Sequence, residues 1–432
     1  MNIQPSKNLQ SLPAYAFKEI NDKVVELKKM AGAGKSVQPI DFGVGDPSEP
    51  TPDFVIESLT EAGRKHAASG YPSYIGSKEF REAACRYMKR RFGTTLDPER
   101  EVSSNIGSKE AIFNFPNAFI NPGDIVICPS PGYPPMKTGT IFAGGVPYYV
   151  PLLEKNKFLI DYNAIPKDVA THAKIIWLNY PNSPTGAVAG REYYRGLIEW
   201  ARANDIIIAA DEGCYIDIYF GSADNAPISI LQAADELKLG RDGIITFYSL
   251  SKRNNMTGYR VGFVAGDEEV VKIFKLLKTN IDSGTPSVMQ EAAIKALDDD
   301  AHVAKMRQLY EQKADILIEG LRAIGLEVSK PSATFYIWQK VPDGMNDVEF
   351  AKKLLAPEIG IVVTPGSLIS EQCKIIEDGR EAIINPGSGY VRFALMPKLE
   401  EIREAVKRLG KIQEGKWDPP AAGSIRIKKF LL

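Results

Sequence analysis

The stretch Ile244-Ile-Thr-Phe-Tyr-Ser249-Leu-Ser-Lys252-Arg-Asn-Asn-Met-Thr-Gly-Tyr-Arg260 decides how this chain is read. Residues 244–248 form a short apolar run rich in β-formers, the pattern of a buried strand. Lys252 falls just past its end, Ser249 and Ser251 precede it, and Arg260 follows eight residues later. A lysine at the end of a hydrophobic strand is a candidate Schiff-base former. The two hydroxyls and the arginine have the chemistry of a phosphate cradle. Together they point to pyridoxal phosphate, a cofactor held by an imine and a phosphate grip. Most lysines lie on solvated faces, so the rest of the sequence must support this one.

Outward from this stretch, short apolar runs alternate with helical patterns. Ile125 to Cys128, Lys174 to Leu178, Ile206 to Ala210 and Val261 to Ala265 read as further strands. Between the second and third, Tyr194, Leu197, Ile198 and Ala201 recur at i, i+3, i+4 and i+7, the stripe of an amphipathic helix. Strands alternating with helices predict an α/β domain with a largely parallel sheet. Ligands of such sheets bind beyond the carboxyl ends of the strands. After about residue 295 a long amphipathic helix (Val303, Met306, Tyr310, Leu317, Leu321) leads into a second α+β region. That region closes with a helix carrying Ile402, Ala405, Val406 and Leu409. The tail Trp417-Asp-Pro-Pro-Ala-Ala-Gly reads as an irregular extension.

Composition excludes several classes. The 432 residues are 44% hydrophobic and 25% charged, as in soluble globular proteins. A formal net charge of −1 offers no basic field for nucleic acid or anionic membrane. Nothing approaches an 18-residue apolar run, so no membrane span is expected. Met1-Asn-Ile-Gln-Pro5 lacks the regions of a secretory signal. Cys85, Cys128, Cys214 and Cys373 form no CxxC pair and read as reduced thiols of a cytoplasmic protein. Three histidines without metal spacing argue against a zinc site.

Five other segments carry chemistry. Gly107-Ser108-Lys109-Glu-Ala111 places Gly and Ser at a helix start, where backbone N–H groups suit a phosphate, or simply an N-cap. Pro131-Gly-Tyr133-Pro-Pro holds an aromatic ring on a rigid turn. Asn179-Tyr-Pro-Asn182-Ser183-Pro-Thr-Gly186 follows a strand and is dense in turn formers. Asp211-Glu-Gly-Cys-Tyr215 puts a carboxylate at the end of an apolar strand, costly unless a cation such as a protonated pyridine nitrogen partners it. Gly389-Tyr-Val-Arg392-Phe sets an arginine in a strand-like run, suited to bidentate carboxylate binding.

In this order and spacing the segments resemble those of class I and II aminotransferases of the fold-type I pyridoxal-phosphate superfamily, from about residue 40 to residue 397. The resemblance implies an α/β fold: a large domain with a mainly parallel seven-stranded sheet sandwiched by helices, plus a smaller α+β domain. Residues 1–48 would be an N-terminal arm and part of the small domain, 49–295 the cofactor-binding domain, and 296–432 the small domain with its tail. Lys252 would bind the cofactor covalently. Arg260, Ser249, Ser251 and Ser108, with the backbone of Gly107 and Lys109, would hold its phosphate. Asp211 would partner the ring nitrogen, Tyr215 the ring hydroxyl, and Tyr133 would stack on the ring. Arg392 and the backbone of Gly45 would bind the substrate α-carboxylate, and Tyr15 would close over the substrate. Tyr71, in Tyr71-Pro-Ser-Tyr-Ile-Gly76, would reach a partner subunit's phosphate, which implies a homodimer with shared sites.

The chain departs from the family pattern twice. Ser183 stands where the family has an Asn against the ring oxygen, with Asn182 one residue earlier, and either could serve. Asp211 and Tyr215 are four residues apart rather than three, with Cys214 between. A one-residue bulge would restore the tyrosine; without one, Glu212 would compete with Asp211.

The substrate is less legible. Tyr71-Pro-Ser-Tyr-Ile-Gly76, Ile106-Gly-Ser-Lys-Glu110, Pro131-Gly-Tyr-Pro134 and Lys278-Thr-Asn-Ile-Asp-Ser-Gly284 resemble aminotransferases acting on LL-diaminopimelate. Ser249-Leu-Ser-Lys-Arg253 and the Asp211 stretch are more similar to those acting on N-succinyldiaminopimelate. Both imply lysine biosynthesis with glutamate and 2-oxoglutarate as the other pair. Aspartate or alanine aminotransferases and pyridoxal-phosphate lyases are alternatives on the same fold. A transcription regulator built on this fold would need an added DNA-binding domain, and only about forty residues precede Gly43.

Overall fold

The computed structural model describes residues 3–10, 12, 18–377 and 379–412. Tyr15 and the tail from Trp417 lie outside the described residues. Among the described residues, no helix is long and apolar enough to cross a membrane.

The apolar runs form a seven-stranded sheet. Its spatial order is Val102–Asn105, Gly262–Gly266, Ile244–Ser249, Ile207–Gly213, Ala173–Leu178, Ile125–Ser130, Val146–Pro151. Only Gly262–Gly266 runs antiparallel to its neighbours. Side chains alternate between two apolar layers, as a period of two requires. Ile176, Leu178, Ile208 and Ala210 enter one core, with Tyr194, Leu197, Ile198 and Ala201 of helix Arg191–Ala203. Ile175, Trp177, Ala209 and Phe247 enter the other, with Phe115 and Phe274. Covering both faces explains why these strands are continuously apolar in sequence rather than alternating.

The helix read from Val303, Met306, Tyr310, Leu317 and Leu321 spans Ala301–Ala323 and buries those five residues. It packs on helix Leu399–Leu409, with Gly320 at the contact, where a Cβ would lie 2.5 Å from a Val406 methyl. Strands Thr364–Pro365, Tyr390–Ala394 and Tyr336–Lys340 form an antiparallel sheet in that order. These elements share a further core with Ile20, Leu27, Ile40 and Phe42 from the N-terminal segment and with Tyr215, Ile218 and Phe220. Ile40–Asp41 pairs in parallel with Ile361–Val362. A hairpin, Cys373–Glu377 with Arg380–Ile384, is an element that the sequence pattern does not disclose. Its base is tied to the large sheet, where Ser130 Oγ donates to Glu371 O at 3.0 Å and Lys137 pairs with the Glu371 carboxylate.

The central strand Ile207–Gly213 ends irregularly. Asp211 pairs with Phe247 and Gly213 with Tyr248, so Glu212 is the extra residue of a bulge. The bulge lets Asp211 finish the strand in register and then turns the chain into residues 214–215. Gly213 permits this, since a Cβ there would lie 2.2 Å from Tyr248 Cα. Gly213→Ala should therefore cost about 1–3 kcal/mol through overpacking. Urea denaturation checks the loss, and weakened cofactor binding should accompany it, because Asp211 and Cys214 flank the bulge.

Candidate active site

Lys252, Asp211, Ser249, Arg260, Asn179 and the Gly107 turn gather at the carboxyl ends of the central parallel strands and the loops beside them, where sheets of this kind bind ligands. Lys252 lies in the short helix Leu250–Arg253 that follows strand Ile244–Ser249. Its Nζ donates to Gly45 O at 2.7 Å and sits 3.8 Å from Asp46 Oδ1. Burial pushes its pKa down; Asp46 opposes the shift, while Arg260 and Arg392 add to it.

The next residue, Arg253, anchors this turn. It pairs with Asp217 at 2.8 Å and with Asp300 at 2.6 Å, and donates to Ala296 O at 2.7 Å. Asp217 also takes Arg91 at 2.8 Å and the Tyr87 hydroxyl at 2.8 Å. Burial alone would raise the Asp217 pKa; the two guanidiniums and the phenol outweigh it and hold the carboxyl below its usual value.

The phosphate-type groups converge. Ser249 Oγ donates to Ser251 Oγ at 2.9 Å. Gly107, at φ 76°, caps helix Ser108–Asn114. The N–H groups of Ser108 and Lys109 lie in its first turn, where no intrahelical acceptor exists. The Lys109 side chain is exposed. Arg260 is held in the left-handed region at φ 52°, uncommon for a residue with a Cβ. Its Nη1 donates to Thr257 O at 2.7 Å. A Cβ on Gly107 would lie 2.3 Å from Arg260 Nη2, so only glycine lets the guanidinium lie against this turn. Lys278, wholly buried, braces the turn: it pairs with Glu110 at 3.1 Å and Asp282 at 2.6 Å. Glu110 Oε2 in turn accepts the Ile106 N–H at 3.0 Å. The Lys278–Gly284 motif thus has a structural role that its sequence did not disclose.

Asp211 and Glu212 diverge at the bulge. Glu212 is consumed by structure: it accepts from Ile230 N at 2.6 Å and from the Tyr248 hydroxyl at 2.9 Å. Asp211 is 2% exposed, and its Oδ1 has no hydrogen-bond partner. Burial, and after it the neighbouring Glu212, push its pKa up to about 7. Asn179 Nδ2 donates to Asp211 O at 3.0 Å and lies 3.4 Å from Oδ2. Cys214 Sγ lies 3.4 Å from Ser108 Oγ, and burial raises the thiol's pKa to about 12. Tyr133 stands at the start of helix Pro134–Phe142. Burial above all raises its pKa; Cys214 and Asp211 add to the shift and Arg260 opposes it.

Asn182 is fully buried and staples its own turn, its Oδ1 accepting from Thr185 N at 3.1 Å and Thr185 Oγ1 at 2.8 Å. The Ser183 N–H goes to Asn179 Oδ1 at 2.9 Å, and its half-buried hydroxyl makes no hydrogen bond among the described residues. Tyr215 turns toward the other core, its hydroxyl 3.2 Å from that of Tyr336. Arg392 Nη2 donates to Gly43 O at 2.7 Å, while its buried Nε has no partner. Tyr71 is 90% exposed. Asn179, Tyr336 and Thr364 were not singled out from sequence. Asn179 carried a signal, since it ends one strand as Asp211 ends the neighbouring one; Tyr336 carried none.

The family model for aminotransferase class I and II matches residues 37–409. The chain belongs to this family. The aminotransferase is 44% identical to LL-diaminopimelate aminotransferase of Aquifex aeolicus over 405 residues, 94% of this chain and 98% of that one. A solved aminotransferase from Neisseria meningitidis superimposes with a TM-score of 0.84 at 32% identity, covering 94% of this chain and 99% of its own. A probable N-succinyldiaminopimelate aminotransferase from Thermus thermophilus gives 0.78 at 30% identity, covering 91% and 100%.

Aminotransferases of this family depend on pyridoxal phosphate, and the residues present fit it. Asp211 Oδ1 is a buried acceptor that lacks a donor, Arg392 Nε a buried donor that lacks an acceptor. Hydroxyls, a guanidinium and first-turn amides surround a glycine cradle that a Cβ would fill.

The electrostatics of Asp211 bear on both stability and rate. Its folded pKa, near 7, exceeds its ordinary value of 3.8, so the folded apoprotein keeps this proton longer than the unfolded chain. The stability this confers is complete below about pH 4 and is lost as the pH rises through about 7. Relative to wild type, cofactor-free Asp211→Asn should therefore gain stability between these pH values, as followed by urea unfolding. In the loaded enzyme Asp211→Ala should lower kcat by about a hundredfold or more. Glu212→Gln should instead lower chiefly the unfolding free energy.

Proposed function

We propose that the aminotransferase moves an amino group between LL-diaminopimelate and the glutamate/2-oxoglutarate pair, a reaction of lysine biosynthesis. The observation that carries the substrate is the 44% identity with the Aquifex enzyme across 94% of this chain. The geometry supports the reaction type. Lys252 Nζ is the proton carrier: burial lowers its pKa, which favours a neutral amine able to take the substrate α-proton and deliver it to the cofactor side. When bound, pyridoxal phosphate supplies an electron sink for the pair left at the α-carbon. Asp211 holds a proton on the ring nitrogen through its unpartnered Oδ1, an electrostatic task. Ser108, Ser249, Ser251, Arg260 and the amides of the Gly107 turn hold the phosphate. Tyr133 would stack on the ring.

Ser183, whose hydroxyl makes no hydrogen bond among the described residues, would donate to the ring oxygen in preference to Asn182, which is fully buried in its own turn with Nδ2 directed to Asn179 Oδ1. Arg392, with the Gly45 backbone, orients the substrate carboxylate by charge-assisted hydrogen bonds. The exposed Tyr71 serves the site of a second subunit in a homodimer. Four free cysteines suit a cytoplasmic setting.

The Thermus neighbour favours a second reading, N-succinyldiaminopimelate as donor. A half-reaction screen separates the two. Loaded enzyme mixed with single amino donors should change its visible spectrum with LL-diaminopimelate and not with the succinylated form. The opposite pattern would establish the second reading, and reaction with neither would redirect the search to aspartate and alanine. Lys252→Ala should lose the absorbance of the lysine–cofactor bond and lower turnover by at least about a hundredfold. Full activity in that variant would overturn the assignment.

A further inference from the structure

We propose that Tyr336 is a positioning residue that fixes the carboxylate-binding Arg392 and joins it to the Tyr215 hydroxyl on the cofactor side. The inference rests on the roles proposed for Arg392 and Tyr215 in transamination. Tyr336 opens strand Tyr336–Lys340 and is 3% exposed. Arg392 Cζ lies 4.5 Å from the centroid of its ring. Its hydroxyl is 3.2 Å from that of Tyr215. The same hydroxyl abuts Gly45, where a Cβ would lie 2.0 Å away. One phenol therefore touches the arginine, the cofactor-side tyrosine and the glycine whose carbonyl accepts from Lys252.

These contacts divide the work on Arg392. Its edge is held by Gly43 O at 2.7 Å through Nη2, with Thr364 Oγ1 at 3.4 Å. Its face rests on Tyr336. Nε is left buried and unpartnered. A buried donor without an acceptor is costly, and a carboxylate relieves that cost with a charge-assisted bond. The ring face keeps the guanidinium in place before the ligand arrives, and this ordering favours affinity. The ligand class is the carboxylate of an amino acid or a 2-oxo acid.

The test uses the pyridoxal-phosphate-loaded enzyme with glutarate, an unreactive dicarboxylate, as the calorimetric probe. Tyr336→Leu removes both ring face and hydroxyl; Tyr336→Phe removes the hydroxyl alone. We expect Tyr336→Leu to weaken glutarate binding roughly tenfold or more, from the value of a desolvated cation–π contact. KM for the amino donor should rise in parallel, with a smaller fall in kcat. Tyr336→Phe should restore glutarate affinity yet shift the pH midpoint of the cofactor absorbance, because Tyr215 loses its partner. Wild-type glutarate affinity in Tyr336→Leu, or an unshifted midpoint in Tyr336→Phe, would overturn the proposal. The Phe variant keeps the ring packing, so it tests the join to Tyr215 even if the Leu variant does not fold. A wild-type enzyme that takes up no pyridoxal phosphate would overturn the proposed transamination as well.

Discussion

A carboxylate sits at the bottom of this site, almost sealed from water and with one oxygen unpartnered. Such a group is unfavourable in an apolar sheet unless it stays protonated or meets a cation. Much of the surrounding structure maintains that condition. Two apolar layers bury the strand that carries Asp211. Asn179 fixes the end of that strand by its side chain. The bulge diverts Glu212 to other donors, so the two neighbouring acids do not compete for one place.

The second requirement is to hold cations nearby without letting them neutralise Asp211. Lys252 is directed to the Gly45 carbonyl, Arg260 to the Thr257 carbonyl, and Arg392 to the Gly43 carbonyl. Each positive charge is thus positioned by backbone oxygen, leaving capacity for a ligand. Farther out, the opposite principle applies. Buried Arg253 and Asp217 pair with each other and with half-buried Arg91, and wholly buried Lys278 pairs with half-buried Glu110 and Asp282. Removing one partner of such a pair leaves a buried charge uncompensated. These satisfied clusters form the rigid frame, while Asp211 Oδ1 and Arg392 Nε are left for a ligand.

The sheet was legible where its strands are covered on both faces. The five strands read from the sequence are the five inner ones, and burial makes them continuously apolar. Val102–Asn105 and Val146–Pro151 were not read, and they are the two edges of the sheet. Val102–Asn105 carries Ser103, Ser104 and Asn105 although all three are fully buried, and Val146–Pro151 carries Pro147 and Pro151, so neither gave an apolar run to detect. The hairpin at 373–384 escaped for a related reason: two paired strands with Ile376 and Ile383 exposed leave no burial pattern.

The sequence by itself determined the cofactor and the reaction type. Lys252 and Asp211 stand at strand ends, Arg260 just before a strand and Arg392 inside one, and their local context already restricts what they do. Tertiary structure decided which neighbours share the work. It separated Asp211 from Glu212, committed Asn182 to a turn, and brought Tyr336 against Arg392 and Tyr215. The reason is physical. A buried strand or a helix stripe follows from nearby residues and their hydration. A hydrogen bond between hydroxyls 121 residues apart follows only from how the packed layers meet.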